Sequence, residues 1–308
     1  MEQEMIFPQP LHDGSRIAVV TPASPIERQY VDGAKAFLES QGFEVRLMPH
    51  VFGPEDGCFA SSLQSRLSDL TEAWLDPEVD AILCSRGGYG TAELLPHLSR
   101  IDIRGNAKWL IGFSDISALH ACLQSHGVAS LHSSMAKQFA LRPDSRVTRT
   151  MLDLLRGGKM NYEVEKHPFS RKGHGVGSLI GGNLAVLNGL ASTPYDLMGS
   201  ALKRDSVLFI EDVSEQIYEV ERILLRLDMS GVLGSLKGLI VGRFTDYRPS
   251  KKYERMEQMI HALLQRLGIR DIPVAIDFPV GHIEDNLPMI EGATVELSIT
   301  DKVRLKQI

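Results

Sequence analysis

Trp109-Leu110-Ile111-Gly112-Phe113-Ser114-Asp115-Ile116 changes character at its serine. Up to Phe113 the run is continuously apolar, as expected of a strand covered on both faces, and from near Asp115 to about Gln124 the segment reads as a helix. A strand that turns sharply into a helix is the repeating unit of an α/β sheet. The same change recurs on the N-terminal side. Apolar runs at residues 17–20, 45–48 and 81–84 give way through Gly- or Ser-containing turns to helical periods, and residues 29–40 and 63–75 place apolar side chains three and four apart. The expectation is an α/β domain built on a parallel sheet.

On the C-terminal side the pattern weakens between residues 142 and 177. A helical piece near 151–155 and a polar stretch are followed by Gly173, Gly175 and Gly177, which read as a domain linker. The predicted domains are 1–167 and 168–308. The second contains a segment at 179–190, a strand at 207–210, and a helix at 216–229 with Ile217, Val220, Ile223, Leu224 and Leu227 on one face. Strands at 239–244 and 274–278 follow, and the alternating segments 293–299 and 303–308 predict a hairpin around Thr300 and Asp301.

Composition narrows the functional classes. A chain of 308 residues with 43% hydrophobic and 23% charged side chains can bury a large core without needing a disulfide or metal for stability. Its net charge of -6 is spread along the chain with no basic block, which argues against nucleic acid as a partner. The first ten residues carry two glutamates, lack Lys and Arg and precede no apolar region, unlike a secretory signal. No segment has membrane-spanning length. Cys58, Cys84 and Cys122 are odd in number and unrelated in spacing, which suits reduced thiols and a cytoplasmic location.

Four places could carry chemistry. Ser114 sits at a strand-to-helix turn, where a side chain projects above the sheet and the following N–H groups face the same space. Its alternative reading is a helix N-cap, and Ile116 stands where a nucleophile elbow has its second glycine. The loop Ser85-Arg86-Gly87-Gly88-Tyr89-Gly90 follows an apolar run, at the end of a strand where α/β sheets bind ligands. Its glycines allow close backbone approach to a ligand or serve a tight turn. Glu211 and Asp212 end a strand, where a carboxylate can orient a histidine or cap the next helix. His282, in Pro279-Val280-Gly281-His282, is a loop histidine able to act as a base or simply to be solvated. His120, His126 and His132 lack partners at metal-ligand spacing, so neither a metal nor another cofactor is expected.

Taken in order, the strings Arg86-Gly87-Gly88-Tyr89-Gly90, Leu110-Ile111-Gly112-Phe113-Ser114-Asp115-Ile116-Ser117, Leu179-Ile180-Gly181-Gly182-Asn183-Leu184, Leu208-Phe209-Ile210-Glu211-Asp212-Val213 and Gly281-His282 resemble the LD-carboxypeptidases of serine peptidase family S66. The resemblance spans nearly the whole chain. It implies a Rossmann-like N-terminal domain carrying the nucleophile Ser114, and a smaller C-terminal α/β domain carrying the orienting acid Glu211 and the general base His282. The active site would lie between them. Backbone N–H groups of Gly88 and Asp115 are the nominated oxyanion donors, and Tyr89, Asn183 and Asn286 the substrate contacts. The implied activity is release of the terminal D-alanine from the murein tetrapeptide during peptidoglycan recycling, by a cytoplasmic homodimer acting on a small muropeptide.

Two alternatives remain at this level. Self-immunity peptidases resembling the same family cleave peptide-nucleotide or aminoacyl-adenylate antibiotics with a similar triad. A non-catalytic α/β module could instead hold an anion in the loop from Arg86 to Gly90, with Ser114 as a helix cap.

Overall fold

A computed structural model describes residues 4–308, so Met1, Glu2 and Gln3, the start of the segment examined for a signal, lie outside it. The strands are β1 (Arg16–Val20), β2 (Glu44–Leu47), β3 (Ala81–Cys84), β4 (Trp109–Gly112), β5 (Ser130–His132), β6 (Asn161–Glu165), β7 (Gly173–Asn183), β8 (Ser206–Val213), β9 (Gly238–Thr245), β10 (Val274–Gly281), β11 (Met289–Glu291), β12 (Thr294–Ile299) and β13 (Lys302–Gln307). The chain divides into two compact units, Met1–Gly158 with Leu287–Ile290, and Lys159–Asn286 with Glu291–Ile308.

The first unit carries the expected parallel sheet. Its order is β11-β5-β4-β3-β1-β2, and the run from β2 to β5 is parallel throughout. Every residue of β3 and β4 is buried, which explains why those runs are apolar without alternation. Helix Arg28–Ser40 turns Val31, Ala34 and Leu38 inward, and helix Leu63–Leu75 starts at Ser62, whose hydroxyl accepts from Ser65 N. The chain order reverses between β1 and β3, and at such a switch point an α/β sheet opens a crevice beyond its strand ends. Residues 85–90 leave β3 there. The edge strand β11 comes from near the C-terminus, and three residues are too few to have been read as a strand.

The second unit holds a mixed sheet of order β10-β9-β8-β7-β12-β13-β6. Strands β7 to β10 pair in parallel, whereas β12, β13 and β6 continue from β7 antiparallel. The C-terminal hairpin forms as expected, with Val295 opposite Gln307 and Ile299 opposite Val303. Helix Ile217–Met229 buries the five residues anticipated for its apolar face.

The linker reading of Gly173, Gly175 and Gly177 is corrected. All three belong to the 11-residue strand β7, paired with β12. Alternate residues of a strand share a face, and a Cβ at Gly175 would collide with the Lys237 carbonyl oxygen. These glycines make room for a neighbouring backbone. The preceding helix is also longer than its apolar core suggested, running Arg146–Leu155 from a Ser145 cap.

Candidate active site

Ser114 directly follows Phe113 at the end of β4 with φ of 66°, one of the described non-glycine residues in the left-handed region. That conformation costs an L-residue roughly 1–2 kcal/mol and persists only where the surroundings enforce it. A short 3₁₀ turn, Ser114–Ile116, leads into helix Ser117–Ser125, and the cap positions of these two elements are Phe113 and Ile116. The helix-cap reading of Ser114 is therefore corrected: neither cap position is the serine, which occupies a strained, left-handed strand-to-helix turn. Beneath it, buried His120 bridges Gly112 O at 2.9 Å and Ser130 Oγ at 2.8 Å. Burial pushes this imidazole down to about 4, so it is neutral and braces the end of β4.

The loop after β3 lies against the elbow. A Cβ on Gly87 would come within 2.9 Å of Ser114 Cβ and 3.1 Å of its Oγ, so only glycine fits beside the hydroxyl. Ser24 fastens the loop, its N–H donating to Gly87 O and its Oγ accepting from Tyr89 N. Tyr89 itself is 60% exposed and stacks on Phe59. Thr91 joins loop to elbow, its N–H and hydroxyl donating to the Asp115 carboxylate at 2.9 Å each. Burial raises the Asp115 carboxyl while these bonds oppose the rise. Arg66, almost wholly buried, completes the frame by donating to Pro22 O, Gly90 O and Ser61 O and pairing with Glu93. Neither Arg66 nor Thr91 is singled out by the sequence, since the partners that tie each to the loop and the turn are distant in the chain, Asp115 for Thr91 and Gly90 for Arg66, 24 residues away in both cases.

In the second unit Glu211 and Asp212 divide the two roles open to a carboxylate at a strand end. His282 Nδ1 lies 2.7 Å from Glu211 Oε2, with Glu211 0% and His282 19% exposed. A carboxylate can only accept, so the proton sits on Nδ1 and Nε2 is left as the basic nitrogen. Burial disfavours the imidazolium, but the hydrogen bond and charge of Glu211 outweigh it and hold His282 above the usual histidine range. Asp212 takes the capping role. It accepts from Asn183 Nδ2, Ala185 N and Val213 N, at the start of helix Leu184–Gly189. Burial and then the charge of Glu211 push its carboxyl up to about 7.

The register of β8 against β9 shifts between Ile210 and Asp212, a bulge of the kind that re-aims side chains near sites. Gly281, with φ of 125°, brings the chain so close to Glu211 that a Cβ would meet Oε2 at 3.0 Å. Asn286 is buried, and its Oδ1 accepts from Gly281 N at 2.8 Å, fixing the main chain just before His282. Asn183 is likewise buried, capping Val186 N through Oδ1 while Nδ2 meets Asp212. Among the described residues no group of His, Cys, Asp and Glu side chains could hold a metal ion, and no helix is long and apolar enough to cross a membrane.

Comparison with known proteins places the chain in a family. Residues 17–133 match the LD-carboxypeptidase N-terminal domain of peptidase family S66, and residues 176–297 match the C-terminal domain. The murein tetrapeptide carboxypeptidase of Pseudomonas aeruginosa is 31% identical over 299 residues, covering 94% of each chain. The crystal structure of muramoyltetrapeptide carboxypeptidase from Oxalobacter formigenes matches with a TM-score of 0.82 at 28% identity, over 95% of this chain and 98% of that one. A microcin C7 self immunity protein in complex with aspartyl sulfamoyl adenosine matches with a TM-score of 0.83 and 98% coverage of both chains, and its 21% identity makes that a likeness of fold. With both domains matched and a relative above 30% identity spanning nearly its whole length, the chain belongs to the LD-carboxypeptidase family, S66, of serine peptidases.

Proposed function

We propose that the protein is a serine carboxypeptidase that hydrolyses the L,D-amide bond of murein tetrapeptide and releases its terminal D-alanine, with Ser114 as nucleophile, His282 as general base and Glu211 as the orienting acid. The observation that carries this reading is the 2.7 Å pair between His282 Nδ1 and the buried Glu211 carboxylate, which leaves Nε2 basic. The left-handed backbone of Ser114 supports it from the first unit. An unassisted hydroxyl is a poor nucleophile, and an oriented imidazole supplies the missing base.

In this mechanism His282 Nε2 takes the proton of Ser114 Oγ as that oxygen adds to the scissile carbonyl. The N–H groups of Gly88 and Asp115 hold the oxyanion, each donor lowering the barrier by roughly 3–4 kcal/mol. The imidazolium returns its proton to the departing amine of D-alanine. Water, deprotonated by the same imidazole, then cleaves the acyl-enzyme and regenerates the serine. Glu211 stabilises the imidazolium in both halves of the cycle. Tyr89, the exposed member of the nominated substrate contacts, is assigned to the peptide, and Asn183 and Asn286 to the support of Asp212 and of the His282 loop.

Peptidoglycan recycling in the cytoplasm by a homodimer completes the proposal, in keeping with three free cysteines. Cell fractionation and light scattering test those two parts. Activity is tested by incubating the wild type and Ser114→Ala with L-Ala-D-Glu-diaminopimelate-D-Ala and following free D-alanine by mass spectrometry. Release by the wild type alone is expected. Release by both removes Ser114 from the mechanism, and release by neither, with cleavage of an aminoacyl-adenylate conjugate, moves the activity to antibiotic immunity.

A further inference from the structure

The second unit contains a cavity of about 430 Å³ lined by Phe169, Ser170, Arg171, His261, Gln265 and Arg270. It lies at the start of β10. Arg171 exchanges both main-chain hydrogen bonds with Val274, and Ser170 Oγ accepts from Ile276 N at 2.9 Å. His282 follows the far end of the same strand, roughly 20 Å away at the usual rise of a strand. The cavity is thus separate, within the second unit, from His282.

Its charge is unbalanced. Arg171 and Arg270 are near enough for their like charges to oppose each other, and Asp271 is the acid that partly offsets them. Burial is the main influence lowering the proton affinity of Arg171. Among the described residues neither arginine forms an ion pair, and Arg171 Nη1 is buried with no hydrogen-bond partner. A guanidinium donor left buried and unsatisfied is unfavourable unless something supplies an acceptor. Around the arginines stand further donors and a flat surface. Gln265 Nε2 donates to His261 Nε2 at 2.8 Å, and the His261 ring stacks on Phe169 with centroids 4.8 Å apart.

From this geometry we infer that the cavity is a binding site for a phosphate monoester, its phosphate held between Arg171 and Arg270 and its organic part lying along Phe169 and His261. Two guanidinium forks offer more donors than the two oxygens of one carboxylate can use, whereas a phosphate presents three or four oxygens. The volume also exceeds what a bare phosphate fills.

The full-length protein is titrated calorimetrically with inorganic phosphate, with glycerol phosphate and phenyl phosphate, and with malonate as a dicarboxylate of equal charge. Phosphate binds with a Kd on the order of 1 mM or tighter, and phenyl phosphate binds more tightly than glycerol phosphate. Arg270→Ala, on an exposed side chain, weakens each phosphate by about tenfold or more, and Arg171→Lys, which keeps the charge but loses the fork, weakens them less. Ring resonances of His261 shift on titration in the wild type. Absence of binding at concentrations on the order of 10 mM, or equal affinity in Arg270→Ala, overturns the site. Malonate binding as tightly as phosphate overturns the assignment to phosphate. None of these readouts depends on hydrolysis, so the outcome is independent of the role given to Ser114.

Discussion

Two histidine–carboxylate pairs in this protein share one hydrogen-bond length. His282 Nδ1 and Glu211 Oε2 lie 2.7 Å apart in the second unit, and His50 Nδ1 and Asp69 Oδ1 lie 2.7 Å apart in the first. Their surroundings differ. Asp69, on helix Leu63–Leu75, uses both oxygens on one residue, taking the His50 ring through Oδ1 and the His50 main-chain N–H through Oδ2. Both acceptors are thereby committed to fastening the loop after β2 to a helix, with a histidine side chain 39% exposed. Glu211 is fully buried, gives one oxygen to His282, and among the described residues keeps Oε1 without a partner. An unsatisfied buried acceptor costs about 1–3 kcal/mol, which a fold tolerates chiefly where chemistry needs it. Distance alone therefore does not mark a catalytic base. In the proposed mechanism the fully buried carboxylate, Glu211, is the one that would stabilise positive charge on its histidine.

Substituting the two histidines should separate the pairs most widely. His282→Gln is expected to lower kcat by about 10⁴-fold or more, measured as D-alanine release, while His50→Gln leaves kcat unchanged and lowers Tm. Equal losses would erase the distinction. The carboxylates give the next largest contrast. Glu211→Gln should reduce kcat by about 10³- to 10⁴-fold through loss of the orienting charge. Asp69→Asn should act on stability, by about 1–2 kcal/mol in urea unfolding, with kcat retained.

The pH dependence sharpens the same contrast. His282 is raised above its ordinary value of 6.5, and hydrolysis requires the neutral ring, so kcat/KM should climb with pH along a limb centred above 6.5. Glu211→Gln removes the two largest influences that raise it and leaves only the charges of Asp212 and Asp246 against burial, so the residual activity should show that limb moved to lower pH. The sign for stability is the reverse. A histidine raised on folding contributes stability that is full below 6.5 and fades as pH rises through the folded value, and Glu211→Gln should diminish that acid-side gain. The smallest expected effect concerns the elbow. Ser114→Gly and Ser114→Ala should both be inactive, with the glycine variant more stable by about 1 kcal/mol because it relieves the left-handed strain. Equal stability would mean that the turn is unstrained.

Much of this architecture was legible before folding was considered. Ile17, Ile82 and Leu110 announce strands because their neighbours are apolar without alternation, and Val220, Leu224 and Leu227 announce a helix face by spacing. Ser114, Glu211 and His282 stood out through strings resembling a known family. Asp212 illustrates where such reading ends. It neighbours Glu211 and has the same chemistry, yet it caps a helix while Glu211 meets the histidine. Nothing local separates them. Asn286, nominated as a substrate contact, is buried and its Oδ1 holds the main chain just before His282. The glycines at 173, 175 and 177 read as a linker because space needed by a distant backbone has no local signature.

By itself the sequence determined the central strands of both sheets, the helix at 217–229 and which serine ends a central strand, because burial on a strand or helix repeats over a few residues of chain. Only the tertiary structure decided the strand order, the return of β11 to the first sheet, the left-handed backbone of Ser114 and the 2.7 Å pairing of Glu211 with His282. Each of these depends on groups brought together across long separations, 71 residues in the case of Glu211 and His282, and their energies exist only once the intervening chain has folded.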